Sequence, residues 1–251
     1  MFVRNVLITG ANRGLGLEFV KQLVVLSEPP LNLFATCRTP GTGKAKELQE
    51  LSVANPRVKV LQLDVTDESS IVRAVEHVKK AVGNDGLNLL INNAGITTKG
   101  VTYDSVQASS AMNVLATNTV GPLLTTKAFL PLLRMASSKD TSHGMSCGRA
   151  AIINISSTLG SIELEKGGGP FVYNMSKAAL NMLTKSMSCD LRKDDIMVVA
   201  LDPTWTVTDL GGPRAPLSAE KSVEGMLNVM TTLNETHTGQ FIDYTGKNLP
   251  W

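Results

Sequence analysis

A tyrosine and a lysine, Tyr173 and Lys177, stand four residues apart near the start of a predicted helix, Met175 to Leu191. Positions i and i+4 share one face of a helix, so the lysine ammonium would lie near the phenol. A nearby positive charge favours phenolate, and we therefore expect the tyrosine pKa to fall below its usual value of about 10. Such a tyrosine could donate or remove a proton near neutral pH. The spacing also arises by chance on protein surfaces, so the pair alone decides nothing.

Other polar side chains could complete a site around this pair. Ser156 and Ser157 follow a predicted strand, and either hydroxyl could bind the oxygen of a carbonyl or an alcohol. Asn118 falls inside a predicted helix, Ala116 to Met135, which Gly121-Pro122 would interrupt. An asparagine within a helix is unfavourable unless its side chain has other work, because it competes with backbone hydrogen bonds.

A glycine-rich turn follows the first predicted strand, Phe2 to Thr9, and contains Gly10, Gly14 and Gly16 before an apolar-periodic helix. In a nucleotide-binding turn these glycines permit the tight turn, the approach of a pyrophosphate and close packing of helix on strand. The helix N-terminus would then face the phosphates with free N–H groups. A glycine loop that binds nothing is the alternative, but the strand-to-helix context favours a nucleotide.

The second predicted strand, Leu31 to Cys37, leads into Arg38, where a dinucleotide fold meets the adenosine ribose. A carboxylate there would bind the ribose 2′-OH, whereas an arginine suits a 2′-phosphate. No Asp or Glu occurs from Leu31 to Lys46, and Arg13 in the glycine turn could form the other half of a guanidinium clamp. Each arginine could instead be a solvated surface charge. We expect the pair to favour NADP.

Further strands and helices alternate along the whole chain. The remaining predicted strands are Val58–Leu63, Leu87–Ile91, Arg149–Ile155, Ile196–Leu201 and Gln240–Asp243. One further helix is predicted around Ile71–Val78, and two others span Tyr103–Leu115 and Ala219–Leu233. A polar, mobile loop is expected at Ala136–Gly148. This alternation predicts an α/β fold: a doubly wound parallel sheet of about seven strands with helices on both faces. We expect a single domain, residues 1–251, with a small substrate loop around 204–218.

Polar residues follow the strand ends, where ligands bind in such a sheet. Asp64 could accept a hydrogen bond from the adenine amino group, or it could serve only the turn after its strand. The sequence Asn92-Asn93-Ala94-Gly95 could tie neighbouring loops together or line the cofactor cleft.

Composition excludes several classes of protein. Charged residues make up 18% and hydrophobic residues 43% of the 251 residues, which indicates a globular chain, and a net charge of +2 is too small to argue for nucleic acid or membrane surfaces. The first apolar run is much too short for a signal or transmembrane segment. Three cysteines without metal-ligand spacing suit free thiols in a reducing compartment, so we expect a cytoplasmic protein without a metal.

Taken together, the motifs resemble the classical short-chain dehydrogenase/reductase family over nearly the whole chain. The motifs that carry the resemblance are Thr9-Gly10-x-x-x-Gly14-x-Gly16, Asn92-Asn93-Ala94-Gly95, Asn118, Ser157, Tyr173-x-x-x-Lys177 and Pro203 to Thr208. The run ending at Ser156-Ser157, the helix start at Ser176 and the segment Gly211 to Leu217 are similar to sniffer-type carbonyl reductases. The resemblance implies an NADPH-dependent reductase acting on a ketone, aldehyde or quinone.

The resemblance also implies a role for each matching residue. Tyr173 would protonate the carbonyl oxygen, Lys177 would lower the tyrosine pKa and hold the nicotinamide ribose, and Ser157 would bind the substrate oxygen, with Ser156 as the alternative. Asn118 would help to position a relay water. The implied contacts to NADP(H) are Gly10, Asn12, Arg13, Gly14, Leu15, Gly16, Arg38, Asp64, Val65, Asn92, Ala94, Gly95, Tyr173, Lys177, Pro203 and Thr208.

Two departures from the family pattern leave the substrate open. Members usually carry Pro-Gly after the sixth strand, whereas this chain has Pro203-Thr204, and the loop between Ser157 and Tyr173 is longer than in many members. The alternatives are a nucleotide-binding sensor or scaffold without turnover, and an alcohol or steroid dehydrogenase working in the oxidising direction. Family analogy further implies a homodimer or homotetramer.

Overall fold

The computed structural model describes residues 3–98, 100–139 and 144–251. Its strands are β1 (Asn5–Ile8), β2 (Asn32–Cys37), β3 (Val58–Gln62), β4 (Leu89–Asn92), β5 (Ala151–Ile155), β6 (Met197–Asp202), β7 (Thr206–Val207), β8 (Leu217–Ser218) and β9 (Phe241–Asp243). Its helices are α1 (Gly14–Val24), α2 (Lys46–Ala54), α3 (Glu68–Val82), α4 (Ala108–Leu115), α5 (Gly121–Lys139), α6 (Phe171–Asp190) and α7 (Ala219–Thr232). Phe2, the predicted start of the first strand, lies outside the described residues.

Seven strands form one parallel sheet in the order β3-β2-β1-β4-β5-β6-β9, which confirms the predicted fold. Successive β1 side chains alternate between the two faces, as strand geometry requires. Val6 and Ile8 pack with α1 and α7, whereas Leu7 packs with α3 and α5 on the other face. The strand order reverses between β1 and β4, and that switch point opens a crevice at the carboxyl ends of the strands.

Several helix boundaries differ from the prediction. The helix expected from Tyr103 begins only at Ala108, because hydrogen bonds between Thr102 and Ser105 close a separate turn before it. The helix expected to end at Met135 continues to Lys139, so the first residues of the predicted loop 136–148 are helical. Residues 140–143 of that loop lie outside the described residues.

The interruption expected at Gly121-Pro122 is instead a π-helical turn, Ala116–Val120, which joins α4 to α5. A Cβ added to Gly121 would lie 2.8 Å from Cγ2 of Val65, so glycine permits the close approach of this turn to the end of β3. Isolated π turns of this kind occur often at functional sites.

The sequence interpretation missed α2, whose nine residues bury only Leu48 and so show little apolar periodicity. It also placed the start of α6 too late. Gly168 and Gly169 adopt positive φ angles of +73° and +100° and turn the chain so that the helix begins at Phe171. Residues 204–218 are closed by a short parallel pairing of β7 with β8.

The described ranges contain neither a membrane-spanning helix nor a cluster of metal ligands. None of the helices there is both long and apolar enough to cross a membrane. Within the same ranges, no three His, Cys, Asp or Glu side chains cluster closely enough to hold a metal ion.

Candidate active site

The end of β5 and the first turn of α6 bring a serine and a tyrosine together. The Ser157 hydroxyl is hydrogen-bonded to the buried Tyr173 side chain, and Ser157 Oγ also accepts the Leu159 N–H at 3.2 Å. The alternative, Ser156, is buried and donates to Oδ1 of Asn181 at 2.5 Å. The structure therefore directs Ser157, and not Ser156, to the tyrosine.

Lys177 lies one turn along α6 on the same side as Tyr173. Its Nζ is 5.6 Å from the centre of the Tyr173 ring and donates to the Ile155 carbonyl at 2.7 Å. The short 3-10 turn that follows Ser157 packs directly on the backbone of this lysine. A Cβ added to Gly160 would lie 2.7 Å from both the carbonyl carbon and Cβ of Lys177, so only glycine permits this contact.

Burial controls the protonation of both groups. It raises the pKa of Tyr173 far above its usual value; the hydrogen bond with Ser157 opposes this, and the charge of Asp202 adds to it. Burial lowers the pKa of Lys177 to about 8, with Asp202 opposing that change. The predicted fall in the tyrosine pKa is therefore wrong for this structure, because the loss of water raises this pKa by more than the Ser157 hydrogen bond lowers it. The phenol stays protonated at neutral pH.

Asn118 lies in the π turn and is fully buried. Its side chain accepts the Ile96 N–H and donates to the Ile96 carbonyl, both at 2.9 Å, and it donates to Oγ of Ser176 at 2.9 Å. Ser176 Oγ in turn donates to the Tyr173 carbonyl at 2.7 Å. The asparagine therefore has the separate work expected of it: it ties the segment after β4 to the tyrosine end of α6.

The glycine turn is bound tightly to the end of β4. Thr9 Oγ1 accepts the N–H groups of Asn93 and Ala94 at 3.0 Å, and Asn93 Nδ2 donates to the Thr9 and Gly10 carbonyls at 2.9 and 3.2 Å. Gly10 has φ +68°, and an added Cβ would lie 2.9 Å from Cα of Ala94. These contacts leave the backbone bare where α1 begins, as a bound phosphate requires.

An open depression of about 560 Å³ lies beside this turn, and its lining includes Arg13, Lys44 and Lys46 together with the carboxylates of Glu47 and Glu50. Arg13 Nη1 also pairs with Asp209 of the 204–218 loop at 2.8 Å, across the crevice. Arg38 is exposed at the end of β2. The bare helix start and the basic side chains fit a dinucleotide that carries an extra phosphate.

The other predicted cofactor residues lie along the same edge of the sheet, but several have partners of their own. Asp64 Oδ1 accepts the N–H and hydroxyl of Thr66 at 2.9 and 2.7 Å, so the residue serves its turn. Asn92 Nδ2 donates to Asn154 at 2.8 Å, and its Oδ1 is buried without a partner among the described residues. Thr208 Cγ2 would lie 3.4 Å from a Cβ added to Gly14. The remaining members of the set are Asn12, Leu15, Gly16, Val65, Ala94, Gly95 and Pro203.

The sequence interpretation missed several residues near the tyrosine. Asp202 ends β6, is only 2% exposed and accepts the Thr158 N–H at 3.0 Å. Phe171, two positions before Tyr173, stacks on Tyr103 with ring centres 4.3 Å apart and planes 7° apart. A carboxylate at the end of an apolar strand was a visible signal for Asp202, but nothing local linked Tyr103 to Phe171.

In chemical terms, the crevice presents a protonated phenol, a serine hydroxyl and a buried ammonium near the glycine-rich turn. A phenol and a hydroxyl aimed at one place can bind an oxygen from two sides, and the phenol can give that oxygen a proton.

Comparisons with known proteins agree with this geometry. The model of the short chain dehydrogenase family matches residues 4–216. An NADPH-bound carbonyl reductase from chicken fatty liver is 46% identical, with a TM-score of 0.95 and full coverage of both chains. Carbonyl reductase Sniffer of Drosophila melanogaster is 42% identical, with a TM-score of 0.96 over 99% of this chain and 100% of that one. C-signal of Myxococcus xanthus is 40% identical over 66% of this chain and 93% of its own.

Proposed function

The chain belongs to the short chain dehydrogenase family, and we propose on that premise that it is an NADPH-dependent carbonyl reductase. It transfers hydride to a ketone, an aldehyde or a quinone. The observation that carries the proposal is the buried contact of Ser157, Tyr173 and Lys177 beside the glycine turn. The similarity to carbonyl reductases of two animals, one of them NADPH-bound, supports it. A sensor without turnover has no need of a buried tyrosine and lysine at this place.

NADPH supplies the hydride when it is bound. The pyrophosphate would lie on the N–H groups at the start of α1, because Gly10 and Gly14 keep side chains away from that backbone. Arg38 and Arg13 would hold the 2′-phosphate, and Lys177 would hold the nicotinamide ribose. Pro203, directly after β6, and Thr208 of the 204–218 loop complete the proposed contacts.

Each site residue has a distinct task in the reduction. Ser157 orients the substrate oxygen, and Tyr173 gives that oxygen its proton. Burial raises the pKa of the phenol, so Tyr173 holds its proton at neutral pH until negative charge develops on the substrate oxygen. Lys177 stays an ammonium at neutral pH and stabilises the phenolate that remains. Asn118 anchors α6, so that tyrosine and serine keep their positions.

Aromatic side chains occur at the start of α6 and in the 204–218 loop. Tyr103 and Phe171 stack at the first residue of α6, and Trp205 of the 204–218 loop is 55% exposed, with its indole N–H held by the Gly211 carbonyl at 2.8 Å. Aromatic faces contribute apolar area with few rotamers to lose, so they favour flat apolar ligands. We infer that carbonyl groups on aromatic or quinoid rings are better substrates than short aliphatic aldehydes.

The experiment that tests the function is NADPH oxidation with a panel of ketones, aldehydes and quinones. Tyr173→Phe removes the proton donor and should slow every substrate about 10²–10⁴-fold. Tyr244→Phe is the matched control, because Tyr244 packs against the core and not in the site; its rates should equal those of the parent. Equal rates for Tyr173→Phe and the parent would refute the mechanism.

The cofactor preference has a separate test. Arg38→Asp puts a negative charge where the 2′-phosphate is proposed to bind, so it should weaken NADPH far more than NADH. Arg57→Asp is the control, since Arg57 is also exposed but lies before β3, at the opposite edge of the sheet from the crevice. Affinities are measured by the fluorescence of the bound nucleotide. Equal affinity of the parent for both nucleotides would contradict the role of Arg38.

The assembly and the location are also proposals. Exposed apolar side chains on α4, α5 and α6, among them Met112, Leu123 and Met182, support a homodimer or homotetramer. Light scattering in solution measures the mass, and a monomer at micromolar concentration would contradict the proposal. The free cysteines Cys37, Cys147 and Cys189 support a cytoplasmic location, which cell fractionation tests.

A further inference from the structure

The carboxylate of Asp202 is buried at the centre of the site, and the reaction steps described above do not use it. One of its oxygens accepts the Thr158 N–H at 3.0 Å. Thr158 directly follows Ser157 and opens the 3-10 turn that packs on Lys177. The bond therefore fixes the turn of residues 157–160, called the serine turn below, against the end of the neighbouring strand β6.

The same carboxylate shapes the start of the 204–218 loop. It accepts the N–H of Thr204, which has a φ angle of +59°. A β-branched residue rarely adopts this left-handed conformation, because its side chain crowds the backbone. The short Asp-Pro-Thr turn closed by the carboxylate holds Thr204 there. Asp202 thus ties the serine turn and the substrate loop to one strand end.

The charge of Asp202 acts on both proton-carrying groups of α6. It raises the pKa of Lys177, against burial, and it raises the pKa of Tyr173. Asp243, its partner in register on β9, is the other charged group acting on it among the described residues. Asp243 is committed elsewhere, since its Oδ1 accepts the N–H groups of Thr245 and Lys247.

We propose that Asp202 is a positioning residue of the reduction: it holds the serine turn in place, and its negative charge keeps the Lys177 ammonium and the Tyr173 phenol protonated. The inference rests on the proposed reductase function. Both groups must carry a proton for reduction, and Asp202 favours the protonated form of both. Its charge therefore sets the upper pH limit at which the site works.

Substitutions at Asp202 separate its charge from its hydrogen bond. Asp202→Asn keeps an oxygen that can accept the Thr158 N–H but removes the charge, whereas Asp202→Ala removes both. Asp243→Asn is the matched control, because it removes a neighbouring carboxylate in the same sheet register. For each variant, kcat and KM for one substrate of the panel are measured from pH 6 to pH 10, with thermal unfolding as the check on folding.

The parent should lose kcat/KM as pH rises through about 8, where Lys177 loses its proton. Asp202→Asn should move this alkaline limb to lower pH by about one unit, with a smaller loss of kcat below the limb than in Asp202→Ala. Asp202→Ala should show the same move and, in addition, a kcat on the order of tenfold lower, because the serine turn loses its bond. Asp243→Asn should keep the parent profile.

An Asp202→Asn profile that superimposes on that of the parent would overturn the proposal, whatever the activity of Asp202→Ala. Failure of Asp202→Asn to fold would also count against it, because the charge would then serve the fold and not the reaction. A titration without cofactor separates this inference from the function. The ultraviolet signal of Tyr173, taken as the difference from Tyr173→Phe, should titrate at lower pH in Asp202→Asn. No turnover by the parent would refute the reductase, whereas an unmoved titration would refute the role of Asp202.

Discussion

Gly160 is the residue through which the serine turn touches the lysine, and replacing it by alanine should damage catalysis without touching a reactive group. The added Cβ would lie 2.7 Å from the Lys177 carbonyl carbon and Cβ and 2.9 Å from its carbonyl oxygen. Carbon atoms in contact prefer about 3.5–4.0 Å, so the turn and the helix must separate by roughly 1 Å. The clash falls on the backbone of α6 and cannot be relieved by rotating a side chain.

The size of two effects follows from this separation. Overpacking of this kind costs about 1–3 kcal/mol, which lowers the melting temperature by roughly 2–10 °C for a chain of this length. A misplacement of about 1 Å in a catalytic group costs on the order of 10²-fold in rate, so kcat should fall by about that factor. The NADPH affinity should change less than kcat, because the glycine turn follows β1, on the far side of β4 from Gly160.

Thermal unfolding, the NADPH affinity and the rate with one carbonyl substrate are measured together for Gly160→Ala. The matched control is Gly167→Ala, in the same loop, where an added Cβ would meet no atom within 4 Å. The control should match the parent in all three measurements. A Gly160→Ala protein with the kcat of the parent would refute the reasoning, since it would show that the close packing of turn on lysine does not hold the site together.

Three further predictions concern stability. Asn118→Ala leaves the Ile96 N–H and carbonyl without partners and should lower the free energy of unfolding by about 2–4 kcal/mol in urea, whereas the exposed Asn113→Ala should not. Thr204→Gly relieves a left-handed φ of +59° and should raise that free energy by about 1 kcal/mol; an equal gain from Thr204→Ala would contradict the strain argument. Burial raises the pKa of Asp202 from 3.8 to about 6, so its charged form opposes folding increasingly from about pH 4 to pH 6. Relative to the parent, Asp202→Asn should therefore gain up to about 3 kcal/mol between pH 4 and pH 7, and a difference independent of pH would contradict this.

The sheet could be predicted from the sequence because its strands are short, continuous apolar runs that end in polar or glycine residues. The same strand ends located the glycine turn, Ser157 and the end of β6, since ligands collect at one edge of a parallel sheet. The sequence pattern did not predict a helix with little apolar periodicity, nor an ion pair between residues far apart in the chain. α2 buries one residue, and the partner of Arg13 is an aspartate in the last third of the chain.

The sign of the tyrosine pKa could not be predicted, because it depends on how much water reaches the phenol. Spacing along a helix reports which side chains are neighbours, but burial is decided by every element that packs over them. Tyr173 is 9% exposed, because α6 packs against the 3-10 turn of Gly160 and against β6. The position of the tyrosine beside the serine was therefore predictable, and its acidity was not.

The reversal of strand order between β1 and β4 also has a consequence for how the chain folds. Pairing Ile8 with Ile91 closes a loop of about 80 residues, which costs roughly 4 kcal/mol of chain entropy before any contact across it forms. The proposed NADPH site lies across this junction, so the nucleotide should bind only chains in which the loop is already closed. At a hundredfold excess over its dissociation constant, the nucleotide adds about 2.7 kcal/mol to the folded state. The amount of intact protein in a cell should accordingly follow the supply of its own reductant.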